Sequence, residues 1–248
     1  MATTNYTEFG FGEGDESLNS TKFERFKAKE GQSYRMSFVW FPENDGRPDL
    51  TKSPRFVGAK RFYIKGAGYV LDKGPEMATL ADGPSKTTVA TIIALWPTNR
   101  KDGKVDMGAV NSGDYQIVPW VFGQPTYEQL KRRNADFPFG QYDISVVCTD
   151  TQFQKIDISP CKDSVYNALN TKSEALYQSH VIPMLDTIHA IEQNIQGLIG
   201  RDMTLAQVRE KLGVAGTPGA GGTGSGGTRI ATSHAEVENL LDGLMDTP

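Results

Sequence analysis

Between Tyr34 and Ile158 the chain offers six short runs of strand-forming residues, each stopped by proline or by turn residues, and this spacing most limits what it can become. Tyr34–Phe41 ends at Pro42, and Arg55–Ile64 follows. Thr87–Trp96 is the most apolar and is stopped by Pro97. Asp114–Phe122 carries an internal Pro119, which points to a sheet edge or a bulge because proline cannot donate to a ladder. Gln141–Thr149 and Gln152–Ile158 read as a hairpin. Helical signals are fewer. Residues 125–133 form a short helix between strands. Met184, Leu185, Ile188, Ile191, Ile195, Leu198 and Ile199 recur at helical spacing, so about 174–200 is an amphipathic helix with a break at Pro183. Thr204-Leu-Ala-Gln207 is a capping box that opens a last helix ended by Gly213. The expected fold is mainly β with α: an OB-fold-like five- to six-stranded barrel core with a helical C-terminal part at about 174–212, a β-sandwich being the rival.

Residues 1–20 carry four acids, three glycines and little apolar material, and are expected to be a disordered acidic N-terminus. The body is residues 21–212, read as one domain. Residues 213–228, half of them glycine, form a flexible linker spanning roughly 20–24 Å root-mean-square. A body of that size has a radius of gyration near about 17 Å, so a tail on this linker reaches back over its own domain. The tail, 229–248, is acidic and amphipathic: Ser233-His-Ala-Glu236 is a capping box, and Val237, Leu240, Leu241 and Leu244 share one face. Glu236, Glu238, Asp242 and Asp246 supply the charge, and the segment is expected to fold on a partner.

The net charge of −4 hides an uneven distribution. Residues 20–135 hold 19 Lys and Arg against 12 Asp and Glu, a basic middle between acidic ends and a surface suited to a polyanion. Single-stranded nucleic acid requires cations along the phosphates and aromatic faces for unpaired bases, and here the two are interleaved. Arg55, Lys60, Arg61 and Lys65 alternate with Phe56, Phe62, Tyr63 and Tyr69, and Lys73 and Lys86 precede the central strand. Trp96 precedes Arg100, Lys101 and Lys104; Tyr115, Trp120 and Phe122 lie on one strand, Trp120 and Phe122 on the same face of it; Lys131, Arg132 and Arg133 close the short helix.

Catalytic signals are weak. The chain has no GxxxxGK[ST] phosphate loop, no GxGxxG following a strand and no GxSxG elbow, and its three histidines stand in no metal-ligand pattern. Asp143 and Asp157, placed across the expected hairpin, are the one pair of carboxylates that a metal-dependent nuclease reading would use. Cys148 and Cys161 form no CxxC pair, which fits a reducing compartment. No apolar run reaches eighteen residues and no secretion signal opens the chain, so the expectation is a cytoplasmic protein without a membrane span.

The order of features resembles the helix-destabilising single-stranded DNA-binding proteins of T-even-type bacteriophages. The resemblance rests on Glu30-Gly-Gln32 leading into Tyr34-Arg-Met-Ser-Phe, on Lys86-Thr-Thr-Val-Ala-Thr-Ile-Ile-Ala-Leu, and on Trp120-Val-Phe-Gly123 followed by a short helix at Tyr127–Lys131. Phe137-Pro-Phe-Gly140, the helix at Thr204–Gly213 and the linker with its acidic tail complete it. It implies an OB-fold whose cleft takes DNA on Lys86, Tyr115, Trp120 and Phe122. It further implies a non-enzymatic, monomeric or weakly self-associating protein that coats single-stranded DNA in phage replication, recombination and repair, in the host cytoplasm. The tail would recruit replication and recombination proteins and compete with DNA. The family's zinc-binding His/Cys cluster has no counterpart between Ile64 and Lys86, so no metal or other cofactor is expected, and its basic N-terminal arm is replaced by acids. An adaptor whose tail docks on a host polymerase and a virion structural β protein are the alternatives. Binding of oligo(dT) with tryptophan quenching and steep salt dependence would mark the leading reading.

Overall fold

The computed structural model describes residues 23–40, 47–99, 104–149 and 155–214. The strands are β1 (Ser33–Phe38), β2 (Val57–Ile64), β3 (Gly68–Leu71), β4 (Lys86–Trp96), β5 (Gln116–Gly123), β6 (Ile144–Cys148) and β7 (Ile156–Pro160). The helices are α1 (Pro75–Ala78), α2 (Met107–Asn111), α3 (Gln124–Asp136), α4 (Val165–Thr171), α5 (Glu174–Leu176), α6 (Ile182–Ile199) and α7 (Leu205–Lys211). Where the sequence reading has one body, these elements fall into two compact units. One holds the described residues up to Gly58 with Thr87–Ile199; the other holds Ala59–Lys86 with those from Gly200 onward. None of these helices is long and apolar enough to cross a membrane.

The first unit is built on an antiparallel path β5–β4–β1–β6–β7. Met36 of β1 faces Leu95 of β4 on one side and Ile144 of β6 on the other. Val89 through Ala94 are all buried, which explains why β4 reads as a continuous apolar run instead of an alternating one: both its faces are covered. The expected barrel core is not closed: among the described residues no pairing joins β5 to β7, and the strands form an antiparallel sheet. The physical reason lies at β5. It is an edge strand, as Pro119 implies, and outside its ladder the Phe26 N–H donates to the Pro119 carbonyl at 2.9 Å. The helix α3 follows β5 directly and packs against both β5 and β7.

The break expected at Pro183 takes another form. Helix continues from α5 through a π-helical turn, Tyr177–Val181, into α6. Proline lacks an N–H and its ring crowds the carbonyl four residues back, and the wider turn just before Pro183 accommodates both. The apolar stripe Met184, Ile188, Ile191, Ile195 and Ile199 is buried, as its spacing predicts, and α6 packs on β5.

In the second unit β2 and β3 form an antiparallel hairpin. Its core is Phe62, Ile64, Ala67, Val70 and Met77, completed by Val208 of α7. Thr204 and Gln207 form the reciprocal cap that the sequence predicts, and Gly213 follows α7 at φ 69°. Between Ile199 and α7, Arg201 runs parallel to β3: its N–H donates to the Tyr69 carbonyl at 2.9 Å and its carbonyl accepts from the Leu71 N–H at 3.0 Å.

Backbone packing is tightest at Gly140, where an added Cβ would lie 1.9 Å from the Leu50 carbonyl oxygen. Gly140→Ala is expected to destabilise the protein by at least about 2 kcal/mol, seen as a lower urea midpoint at unchanged slope. Gly197→Ala on α6, where an added Cβ meets nothing within 4 Å, is the control and is expected to be neutral or stabilising by about 1 kcal/mol.

Candidate nucleic-acid interface

The hairpin of the second unit turns through Ile64-Lys65-Gly66-Ala67, with the Ala67 N–H donating to the Ile64 carbonyl at 3.0 Å. Gly66 at the third position has φ 90°, which a type II turn requires and a side chain resists. Alternation along the two strands then divides the residues. Phe62, Ile64 and Val70 point into the core, while Arg61, Tyr63, Tyr69 and Leu71 line the opposite face. Tyr63 and Tyr69 are direct cross-strand partners with ring centroids 5.3 Å apart and planes at 60°. They are 52% and 49% exposed, the largest values among the described large hydrophobic side chains. Arg61 reaches diagonally across the ladder, its guanidinium carbon 3.9 Å from the Tyr69 ring centroid.

Cations lie near this pair. Lys65 is exposed in the turn that follows Ile64, whereas Lys60, also exposed, falls by the same alternation on the Phe62 side of β2. The loop carrying Lys65 is held from behind by Asp82, which accepts from the Lys65 N–H at 2.8 Å and donates its own N–H to the Tyr63 carbonyl at 3.0 Å. Lys73 is exposed but ion-paired with Asp202. Lys86 is exposed at the first residue of β4. The structure thus brings Lys60, Arg61, Tyr63, Lys65 and Tyr69 together on one small unit.

Other expected contacts are placed differently. Trp96, Trp120 and Phe122 are only 5%, 4% and 8% exposed and belong to the core of the first unit. The Trp96 indole N–H donates to Ser37 Oγ at 2.7 Å, and Trp120 packs between Phe26 and Phe122, 5.8 and 4.7 Å away. Trp120 and Phe122 do share a face, but it is the buried one. Tyr115 is half-buried, donates to the His180 carbonyl at 3.4 Å, and has its pKa pushed up by burial. Arg55 pairs with Glu192. Lys104 is exposed beyond β4, its carbonyl accepting from Asn99. Lys131 and Arg132 are exposed on α3, Arg133 is half-buried, and the Arg132 Nε–H donates to the Glu128 carbonyl at 3.3 Å. Arg100, Lys101 and all eight tail residues, Glu236, Val237, Glu238, Leu240, Leu241, Asp242, Leu244 and Asp246, lie outside the described residues. Since Trp40 is buried as well, all three tryptophans are interior, and tryptophan quenching would not report base stacking directly.

The carboxylate pair also separates. Asp157 pairs opposite Val147, whereas Asp143 lies before β6 and exchanges backbone hydrogen bonds with Cys161 and Asp163. Asp143 is fully buried, bonded by Arg35 Nε–H at 3.2 Å, Val165 N–H at 3.1 Å and the Ser37 hydroxyl. Burial raises its pKa from the ordinary carboxylate value, opposed by these donors. Among the described residues no three His, Cys, Asp or Glu side chains cluster as metal ligands would.

Strand β3 is absent from the sequence reading. Its signal was available in Gly66-Ala-Gly68, a turn pair placed directly between Tyr63 and Tyr69. In comparisons with family models, curated proteins and solved structures, the chain finds no match.

Asp143→Ala is expected to destabilise by about 3–5 kcal/mol, because it leaves Arg35 without its inner partner, and equally with and without magnesium. Asp157→Ala, at an exposed position, is expected to stay within about 0.5 kcal/mol by urea denaturation.

Proposed function

We propose that the protein binds single-stranded DNA without an enzymatic step, through the outward face of the β2–β3 hairpin. The observation that carries this reading is the pair Tyr63 and Tyr69, each about half exposed on a formed strand, with Arg61 over one ring and Lys65 exposed in the adjoining turn. Large rings are ordinarily buried, so two held side by side in solvent are a surface that bases, with their flat faces, would cover. The adjacent cations supply phosphate neutralisation without demanding a sequence. In the proposed OB-type relationship, the first unit is a partly open barrel in which α3 stands between the end strands. By the same reading the protein coats single strands in phage replication, recombination and repair, with the tail recruiting partner proteins and competing for the DNA.

Anisotropy of a dye-labelled oligo(dT) is the direct measurement. Affinity in the nanomolar-to-micromolar range, weaker binding of duplex, and a linear fall of log K with log salt are expected. Replacing Lys65 by alanine is expected to reduce the salt slope by about 1. Absent or salt-insensitive binding would overturn the reading.

A further inference from the structure

Resting on that reading, we infer that Arg61, Tyr69 and Tyr63 form a preassembled cluster that accepts one unpaired nucleobase, on the outer face of Tyr63. The geometry excludes the alternative of a base slipped between the rings. Insertion requires roughly 7 Å between ring centres, two van der Waals contacts, and parallel planes. The tyrosines stand 5.3 Å apart at 60°. Arg61 already lies over one face of Tyr69, at 3.9 Å. Tyr69 is therefore the interior member of the row, and Tyr63, the more exposed ring, is its end. A base arriving there meets a ring whose rotamer is already set by its cross-strand partner, so little side-chain freedom remains to be lost. The positive charge of Arg61 and of the exposed Lys65 in the adjoining turn favours the phosphates beside that base.

Roles within the row differ. Tyr63 touches the base, and either aromatic side chain serves there. Tyr69 is a positioning residue that holds Tyr63 and Arg61 in place, and its hydroxyl is dispensable. Arg61 needs its planar group, since a lysine keeps the charge but not the stacking surface.

The test uses the full chain and two probes of equal length, oligo(dT) and the same backbone made of abasic units. The wild type is expected to prefer oligo(dT), and Tyr63→Ala to reduce that preference by about 5- to 150-fold, the worth of one stacked base. Tyr63→Phe and Tyr69→Phe should retain it, and Arg61→Lys should lower it while leaving the salt slope unchanged. Thermal melting of Tyr63→Ala close to the wild type shows that the exposed ring has been removed from a folded protein, and Tyr63→Phe keeps the comparison informative if it does not melt there. Salt-dependent binding of oligo(dT) with an undiminished preference in Tyr63→Ala overturns the cluster's role but leaves DNA binding standing. Equal binding of both probes by the wild type also overturns it, and binding of neither overturns the proposed function with it.

Discussion

The buried carboxylate of Asp143 is the point on which the first unit depends. It receives hydrogen bonds from Arg35 and Ser37 on β1 and from the Val165 N–H at the start of α4, while its own backbone binds Cys161 and Asp163 beyond β7. Ser37 Oγ in turn accepts from the Trp96 indole at the end of β4. One residue thus holds β1 and the first helix of the C-terminal layer by its side chain, β4 through Ser37, and the turn after β7 by its backbone. A buried charge is costly, and here it is met by donors from several elements, so each is placed relative to the others. The same arrangement removes Asp143 from any chemistry with solvent.

In both units, alternation along strands decides which rings are structural and which are available. On β5 it turns Trp120 and Phe122 inward against Phe26; on the hairpin it turns Phe62 inward and Tyr63 outward. The residues alike in composition thereby separate into a packed core and an open platform. What differs is the partner across the ladder. Phe62 faces Val70 and shares its core, whereas Tyr63 faces Tyr69 and both rings stay in water.

Much of this architecture is legible in the residues. The strand runs, the edge character of β5, the stripe of α6 and the Thr204 cap all follow from local patterns that tertiary packing does not override. The open sheet was not legible, because whether two end strands meet depends on what covers their edges. Phe26 does so through a contact distant in sequence, and α3, although it follows β5 directly, does so by packing on β7 as well. Likewise, an interleaving of rings and cations identifies Arg61, Tyr63 and Tyr69, but equally marks Trp96 and Trp120. Period-two alternation narrows the choice to a face without saying which face the core takes. Pro183 marks a real irregularity in the helix, and only the surrounding packing decides that it is a wide turn and not an end.

The hairpin unit is assembled from two stretches that lie far apart along the chain. Val208 fills the core under Phe62, Ile64 and Val70, and Arg201 occupies the outer edge of β3. A ribosome that has released the hairpin must still make more than a hundred residues before those two arrive. Until then the apolar side of the hairpin and the free edge of β3 are open to any other chain. Closing so long a loop comes late and slowly, which places completion of the tyrosine platform among the last events of folding.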